Sequence, residues 1–173
     1  MKKQKGFSLI ELLIVVAIIL IIAAIAIPNL LRSRIAANEA SAAGSLRVYN
    51  TAEVTYASSY NSGFSVDLCS LGPPATAGAT PTPATSDLID SVLAGGVGGA
   101  ACTANAMVAT KTGYVFTYTA NPAGCVLGAC VTYSVSGAPQ SVNSTGIRYF
   151  FTNESGVIRA NGTAAATATD API

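Results

Sequence analysis

Few side chains in this 173-residue chain are equipped for chemistry, and one of them stands where a carboxylate needs a reason. There is no histidine, so the commonest general base and metal-binding imidazole are missing. Glu11 interrupts an otherwise apolar run from Leu9 to Ile27. A charge near the centre of a membrane helix costs about 2.5–3.5 kcal/mol even on lenient insertion scales, and the position of Glu11 near one end of the run lowers that cost. Just before it, three lysines (Lys2, Lys3, Lys5) precede a single Gly6. Were the chain cut after Gly6, the new α-amino group on Phe7 would lie four residues from Glu11, with amine and carboxylate on one helix face. The chemistry on offer is a charge pair in a dry place.

The element that must position this pair is the apolar run itself. About 20 residues at a rise of ~1.5 Å nearly cover the ~30 Å hydrocarbon thickness of a bilayer. The basic start and the small residues Ala24-Ile25-Ala26 also suit an ordinary secretory signal, with the mature chain starting at Ile27. Against that, the run exceeds the usual ~7–15 residues of such a signal, and Pro28 is a poor context for its cleavage.

Gly6-Phe7-Ser8-Leu9-Ile10-Glu11 resembles the prepilin processing site of type IV pilins and of the similar pseudopilins of type II secretion. The resemblance is specific over residues 1 to about 50. It implies that a membrane peptidase cuts after Gly6 on the cytoplasmic side and N-methylates Phe7. It further implies a polymerised filament whose interior is Leu9–Ile27, with Glu11 paired to the amine of Phe7 in the same subunit or a neighbour. The implied partners are copies of the chain, the prepilin peptidase and methyltransferase, inner-membrane assembly machinery, and lipid before assembly. On that reading residues 1–6 are the leader, 7–28 the membrane and filament-core helix, and 29–173 a head outside the cytoplasm. Alternative roles are a type II secretion pseudopilin or a minor, tip-located adhesive or DNA-binding subunit.

Pro28 ends the apolar run without having to end the helix: it removes one backbone donor and crowds the carbonyl of Ala24, which favours a kink. Pilins usually carry a proline here, although this run lacks the glycine from which their helix can melt. Beyond it, Leu31, Ile35, Leu46, Tyr49, Tyr56 and Tyr60 fall on steps of three, four and seven residues, one apolar stripe ended by Asn61-Ser62-Gly63. A helix from Phe7 to Tyr60 would be about 80 Å long, more than one domain of this size can bury. The stripe suits a head, while the first half, apolar all round, needs lipid or other copies.

The rest of the chain reads as loops followed by strands. Gly72 to Thr85 is a Pro/Thr/Ala/Gly connection, Ser86–Leu93 a short capped helix, and the glycine run 95–99 a flexible turn without the lysine of a phosphate loop. Segments 114–119, 130–135, 147–152 and 157–160 are rich in β-branched and aromatic residues, with Asn153-Glu154-Ser155-Gly156 as a tight turn and residues from Thr163 onward a frayed end. The fold class expected is α+β, a long helix of about 7–60 packed by its second half on a small antiparallel sheet, as the resemblance to pilins also implies.

Four cysteines beyond the membrane run read as two disulfides, for which sequence alone permits three pairings. Cys125 and Cys130 bracket a short glycine-bearing segment, which favours their pairing and leaves Cys69 with Cys102. The spacing is not that of a zinc site, the acids are too scattered for a calcium loop, and no cofactor, metal or catalytic residue is expected. Three Asn-x-Ser/Thr triplets are read as chance. Tyr49, Tyr56 and Tyr60 are read as core side chains, not a charge-transfer array. The formal net charge of +1 would become −2 once Lys2, Lys3 and Lys5 were removed, so no basic footprint for nucleic acid remains.

Overall fold

In a computed structural model, the described residues are 8–76, 78–96, 106–123, 125–126 and 129–173. The chain divides into two compact units, Met1–Arg34 and Ile35–Ile173. Helix α1 spans Leu9–Tyr60 and continues through Pro28. It begins at Leu9 because Ser8 and Glu11 supply a helix start: the Glu11 carboxylate accepts the Ser8 backbone N–H at 2.9 Å, and the Leu12 N–H reaches the Ser8 carbonyl at 3.3 Å. This Ser-x-x-Glu spacing is that of a capping box, in which the glutamate satisfies a backbone donor that the helix leaves unpaired. Among the described residues of the first unit every large apolar side chain is exposed, from Val16 at 46% to Leu9 at 79%. Leu31, assigned from the sequence to the packed stripe, belongs to this exposed set at 53%.

In the second unit α1 packs against an antiparallel meander. Strands β1 (Val108–Lys111), β2 (Tyr114–Asn121), β3 (Thr132–Pro139), β4 (Tyr149–Asn153) and β5 (Arg159–Asn161) pair in chain order. Alternation sends Tyr114, Phe116, Tyr118 and Ala120 of β2 and Tyr133 and Val135 of β3 into the core, where they join Phe150, Leu46, Tyr49 and Tyr56. Tyr49 lies 5.8 Å from the Phe116 ring, and its hydroxyl donates to the Leu93 carbonyl at 2.7 Å. Gly137 sits opposite Phe116, and a Cβ there would meet that ring at 3.3 Å, so the glycine makes room for the aromatic.

Several local expectations from the sequence change. Strand β1 lies outside the segments expected as strands; it is a four-residue strand tied to β2 through Thr112-Gly113, both at positive φ (48° and 75°), as a two-residue hairpin turn requires. Strand β4 starts at Tyr149 and not Ile147, because the N–H groups of Ile147 and Arg148 go to Glu39 instead of a neighbouring strand. Ser86–Leu93 is not a helix. The N–H groups of Ser86, Asp87, Leu88 and Ile89 are committed to carbonyls of Ser70, Gly72 and Leu71, and Asp87 is at φ 57°. The short helix is instead α2, Leu68–Leu71, whose N-cap Asp67 accepts the Ser70 N–H at 2.8 Å.

The residues after Thr163 are not frayed. Ala160 N–H donates to Ala171 O at 3.1 Å and Ile173 N–H to Ile158 O at 3.0 Å, so the segment returns alongside β5 and covers that sheet edge. The turn at 153–156 forms as read, with Gly156 at φ 71°. Asn61 (φ 49°) and Gly63 (φ 77°) end α1 in left-handed conformation.

Candidate functional site

The candidate site is the start of α1 and the apolar surface behind it. Glu11 accepts the Ser8 backbone N–H just ahead of the helix, and Leu9, Leu12, Leu13, Val16, Ala17 and Leu20 line a shallow, wholly apolar groove. The segment has a mean hydropathy of 3.3 over its most apolar 18 residues, none of them buried, and by length and composition it is long enough to cross a membrane. The Ser-x-x-Glu signature before an apolar run was legible in the sequence as a cap, but only the distance from Phe7 to Glu11 was read from it. Gly6 and Phe7, the residues assigned to cleavage, methylation and the charge pair, lie outside the described residues.

The cysteines lie in the other unit. Cys125 and Cys130 form a disulfide with Cα atoms 5.4 Å apart. Cys69 is also disulfide-bonded, and its expected partner Cys102 lies outside the described residues. Cys130 ties this end of the head to the end of α1: its carbonyl accepts the Phe64 N–H at 3.0 Å, and a Cβ on Gly63 would collide with the same carbonyl. Among the described residues, no group of three or more Cys, Asp or Glu is arranged to hold a metal ion.

Two further carboxylates, neither singled out from the sequence, are buried on α1. Glu39 accepts the N–H groups of Ile147 (2.9 Å) and Arg148 (3.2 Å) and the Arg148 guanidinium Nε (2.7 Å). Burial pushes its carboxyl up, but these bonds outweigh it and hold it below the ordinary value. Glu53 is fully buried against Ser65 and Tyr118, with its carboxyl pushed above the ordinary value by burial. Both occupy stripe positions in line with Leu46, Tyr49 and Tyr56, and a polar residue on an apolar stripe was the available signal.

Residues 1–27 match the family described as the prokaryotic N-terminal methylation motif. The chain carries a prepilin-type N-terminus. The type IV wide pilus major component PilA4 of Thermus thermophilus is 64% identical over 39 residues, 22% of this chain and 30% of that protein. The match thus spans under a third of that relative's length. No solved structure matches the chain. Over its N-terminal segment the chain is type IV pilin-like. The α+β arrangement, a long N-terminal helix followed by a five-stranded antiparallel sheet, is consistent with the pilin fold.

Proposed function

We propose that this chain is the precursor of a structural filament subunit, not an enzyme. It enters the cytoplasmic membrane through Leu9–Ile27 with the lysine leader inside, is cut after Gly6 and N-methylated at Phe7 by a prepilin peptidase, and polymerises with copies of itself through assembly machinery in that membrane. The carrying observation is the prepilin motif on a helical segment whose most apolar stretch has no buried residue. Such a surface requires lipid or other apolar helices around it.

Glu11 serves in both states. In the uncut chain its carboxylate lies 2.9 Å from the Ser8 nitrogen, one residue from the nitrogen that cutting turns into an amine. The new amine pairs with Glu11 in the same subunit or in a neighbour, because a dry bundle penalises either charge alone more than both together. Pro28 loosens the helix in the assembled state. The head, residues 29–173, lies outside the cytoplasm, where its disulfides are stable.

Mass spectrometry of intact material sheared from cells tests this reading. The expected mass is that of a chain starting at N-methylated Phe7 with its cysteines oxidised. A chain starting at Ile27 would mean ordinary secretion, and a soluble chain retaining Met1–Gly6 would rule out filament assembly by this route.

A further inference from the structure

Glu53 has no accessible surface, and neither ion pair among the described residues, Lys111–Asp90 or Arg148–Glu39, reaches it. The ionisable groups around it are Tyr56 on α1, Tyr118 on β2, Tyr133 on β3 and, beyond Tyr56, Asp67; all are neutral or anionic near neutral pH. The hydrogen-bond geometry says how the site avoids a bare buried charge. Ser65 Oγ lies 2.6 Å from Glu53 Oε1 and 2.9 Å from Tyr118 Oη, and Tyr118 Oη lies 2.8 Å from the Ser65 carbonyl. The Tyr118 hydroxyl also interacts with the Glu53 carboxyl. Ser65 Oγ, within reach of both Glu53 and Tyr118 Oη, has one hydrogen and cannot donate to both. A proton on Glu53 resolves the conflict. The carboxylic O–H then donates to Ser65 Oγ, the Ser65 hydroxyl to Tyr118 Oη, and the Tyr118 hydroxyl to the Ser65 carbonyl. Glu53 Oε2 meanwhile accepts the Ser65 N–H at 3.0 Å.

We propose that Glu53, Ser65 and Tyr118 form a proton-operated latch. With Glu53 protonated, an unbroken chain of hydrogen bonds fastens the last turns of α1 to β2 and to the segment after the helix; loss of that proton breaks the chain and loosens the attachment. Next along that segment, the Phe64 N–H is held by the Cys130 carbonyl, so the latch bears on the disulfide-closed end of the head. The raised carboxyl of Glu53, whose cause is burial, accords with this.

The direction of the effect follows by linkage. A carboxyl raised on folding stabilises fully below its unfolded value, near the ordinary 4.5, and the stability is lost as pH rises from there through the folded value. Over that window the unfolded-to-folded ratio rises with pH by up to about tenfold per unit. Glu39, Asp90 and Asp170, held below their ordinary values, contribute on the other side of that window, and the chain has no histidine to titrate within it.

The test is urea unfolding of the full chain in detergent micelles, followed by tyrosine near-ultraviolet circular dichroism from about pH 5 to 7, a range above the ordinary carboxylate values. The wild type is expected to lose stability with rising pH, and Glu53→Gln, which keeps a neutral donor and acceptor, to stay level. An unchanged slope in Glu53→Gln, or a wild type that is level or gains stability over that range, overturns the latch. Should Glu53→Gln fail to fold, the carboxyl ¹³C shift of Glu53 in the labelled wild type decides: a midpoint above 4.5 supports the latch and one at or below it overturns it.

Discussion

Between Leu9 and Leu31 every large apolar side chain of α1 stays exposed, yet between Ala42 and Tyr56 the same helix removes Leu46, Tyr49 and Tyr56 from solvent completely. Composition already separates them: the first is apolar on every face, whereas the second carries Arg47, Asn50, Thr51 and Glu53 beside its apolar residues. Their glutamates separate them as well. Glu11 is bonded to a backbone group of its own helix start, whereas Glu39 reaches residues more than a hundred positions away and Glu53 bonds Ser65 across the end of the helix. A carboxylate bonded only within its own helix start needs no cover from the rest of the chain. One satisfied by distant donors marks a surface already covered, since burying it unpaired would cost several kcal/mol.

Crossing the two regions by mutation gives the largest expected effect. Tyr49→Ala empties a core position and leaves the Leu93 carbonyl without its donor, and should destabilise the head by about 3–5 kcal/mol in urea unfolding of the full chain. Glu11→Ala should leave that unfolding midpoint within about 0.5 kcal/mol of wild type, as expected for a site remote from the core, while reducing the number and length of filaments on cells. Normal filaments from Glu11→Ala would remove the charge-pair role. A lowered head midpoint in the same variant would break the contrast between the two regions.

A smaller effect separates the two buried glutamates. Glu39→Gln keeps the shape of the side chain but cannot accept three donors as a carboxylate does, and should cost about 1–3 kcal/mol at neutral pH. Because the hydrogen bonds from Ile147 and Arg148 hold Glu39 below the ordinary value, its contribution is present above pH 4.5 and is lost as pH falls through the folded value. Urea midpoints measured downward from pH 5 should therefore fall more steeply for the wild type than for Glu39→Gln. Equal slopes would mean that the Arg148 clamp carries no pH dependence. Glu53 acts on the other side of that window, so one helix carries two carboxylates of opposite sign in pH.

What was legible in the sequence follows the same division. The apolar run was readable from Leu9 onward, because membrane-scale hydrophobicity is a local signal; the Ser8-x-x-Glu11 start is local too, but was read only for the spacing of Phe7 and Glu11. The stripe through Leu46, Tyr49 and Tyr56 was readable from its period, and the Cys125–Cys130 bridge from its spacing. Glu39 and Glu53 were not recognised, because a glutamate on a helix is solvated unless something distant covers it, and the covering donors at Ile147, Arg148 and Ser65 lie outside any local window. The same reason misplaced the helix at 86–93: its capping residues looked right, but its backbone donors were already taken by the carbonyls of 70–72. The late start of β4 has that origin too, since Glu39 takes the N–H groups of residues 147 and 148.

The smallest effect is expected where two charges meet at the surface instead of under it. Lys111 Nζ lies 2.7 Å from Asp90 Oδ2, the same separation as the Arg148–Glu39 pair, but the side chains are 33% and 48% exposed. Burial nudges the Asp90 carboxyl up, while the lysine and the Leu93 N–H more than offset it and hold the carboxyl below its ordinary value. Water and salt screen such a pair, so Lys111→Ala should cost about 0.2–1 kcal/mol at low ionic strength and less at about 1 M salt. The Leu93 N–H bond to Asp90 survives the substitution and keeps the turn closed. Glu39→Gln, by contrast, should lose nearly as much at high salt as at low, since two of its three donors are backbone groups shielded from ions. Equal salt dependence of the two variants would show that distance, and not cover, sets the strength of charge contacts in this head.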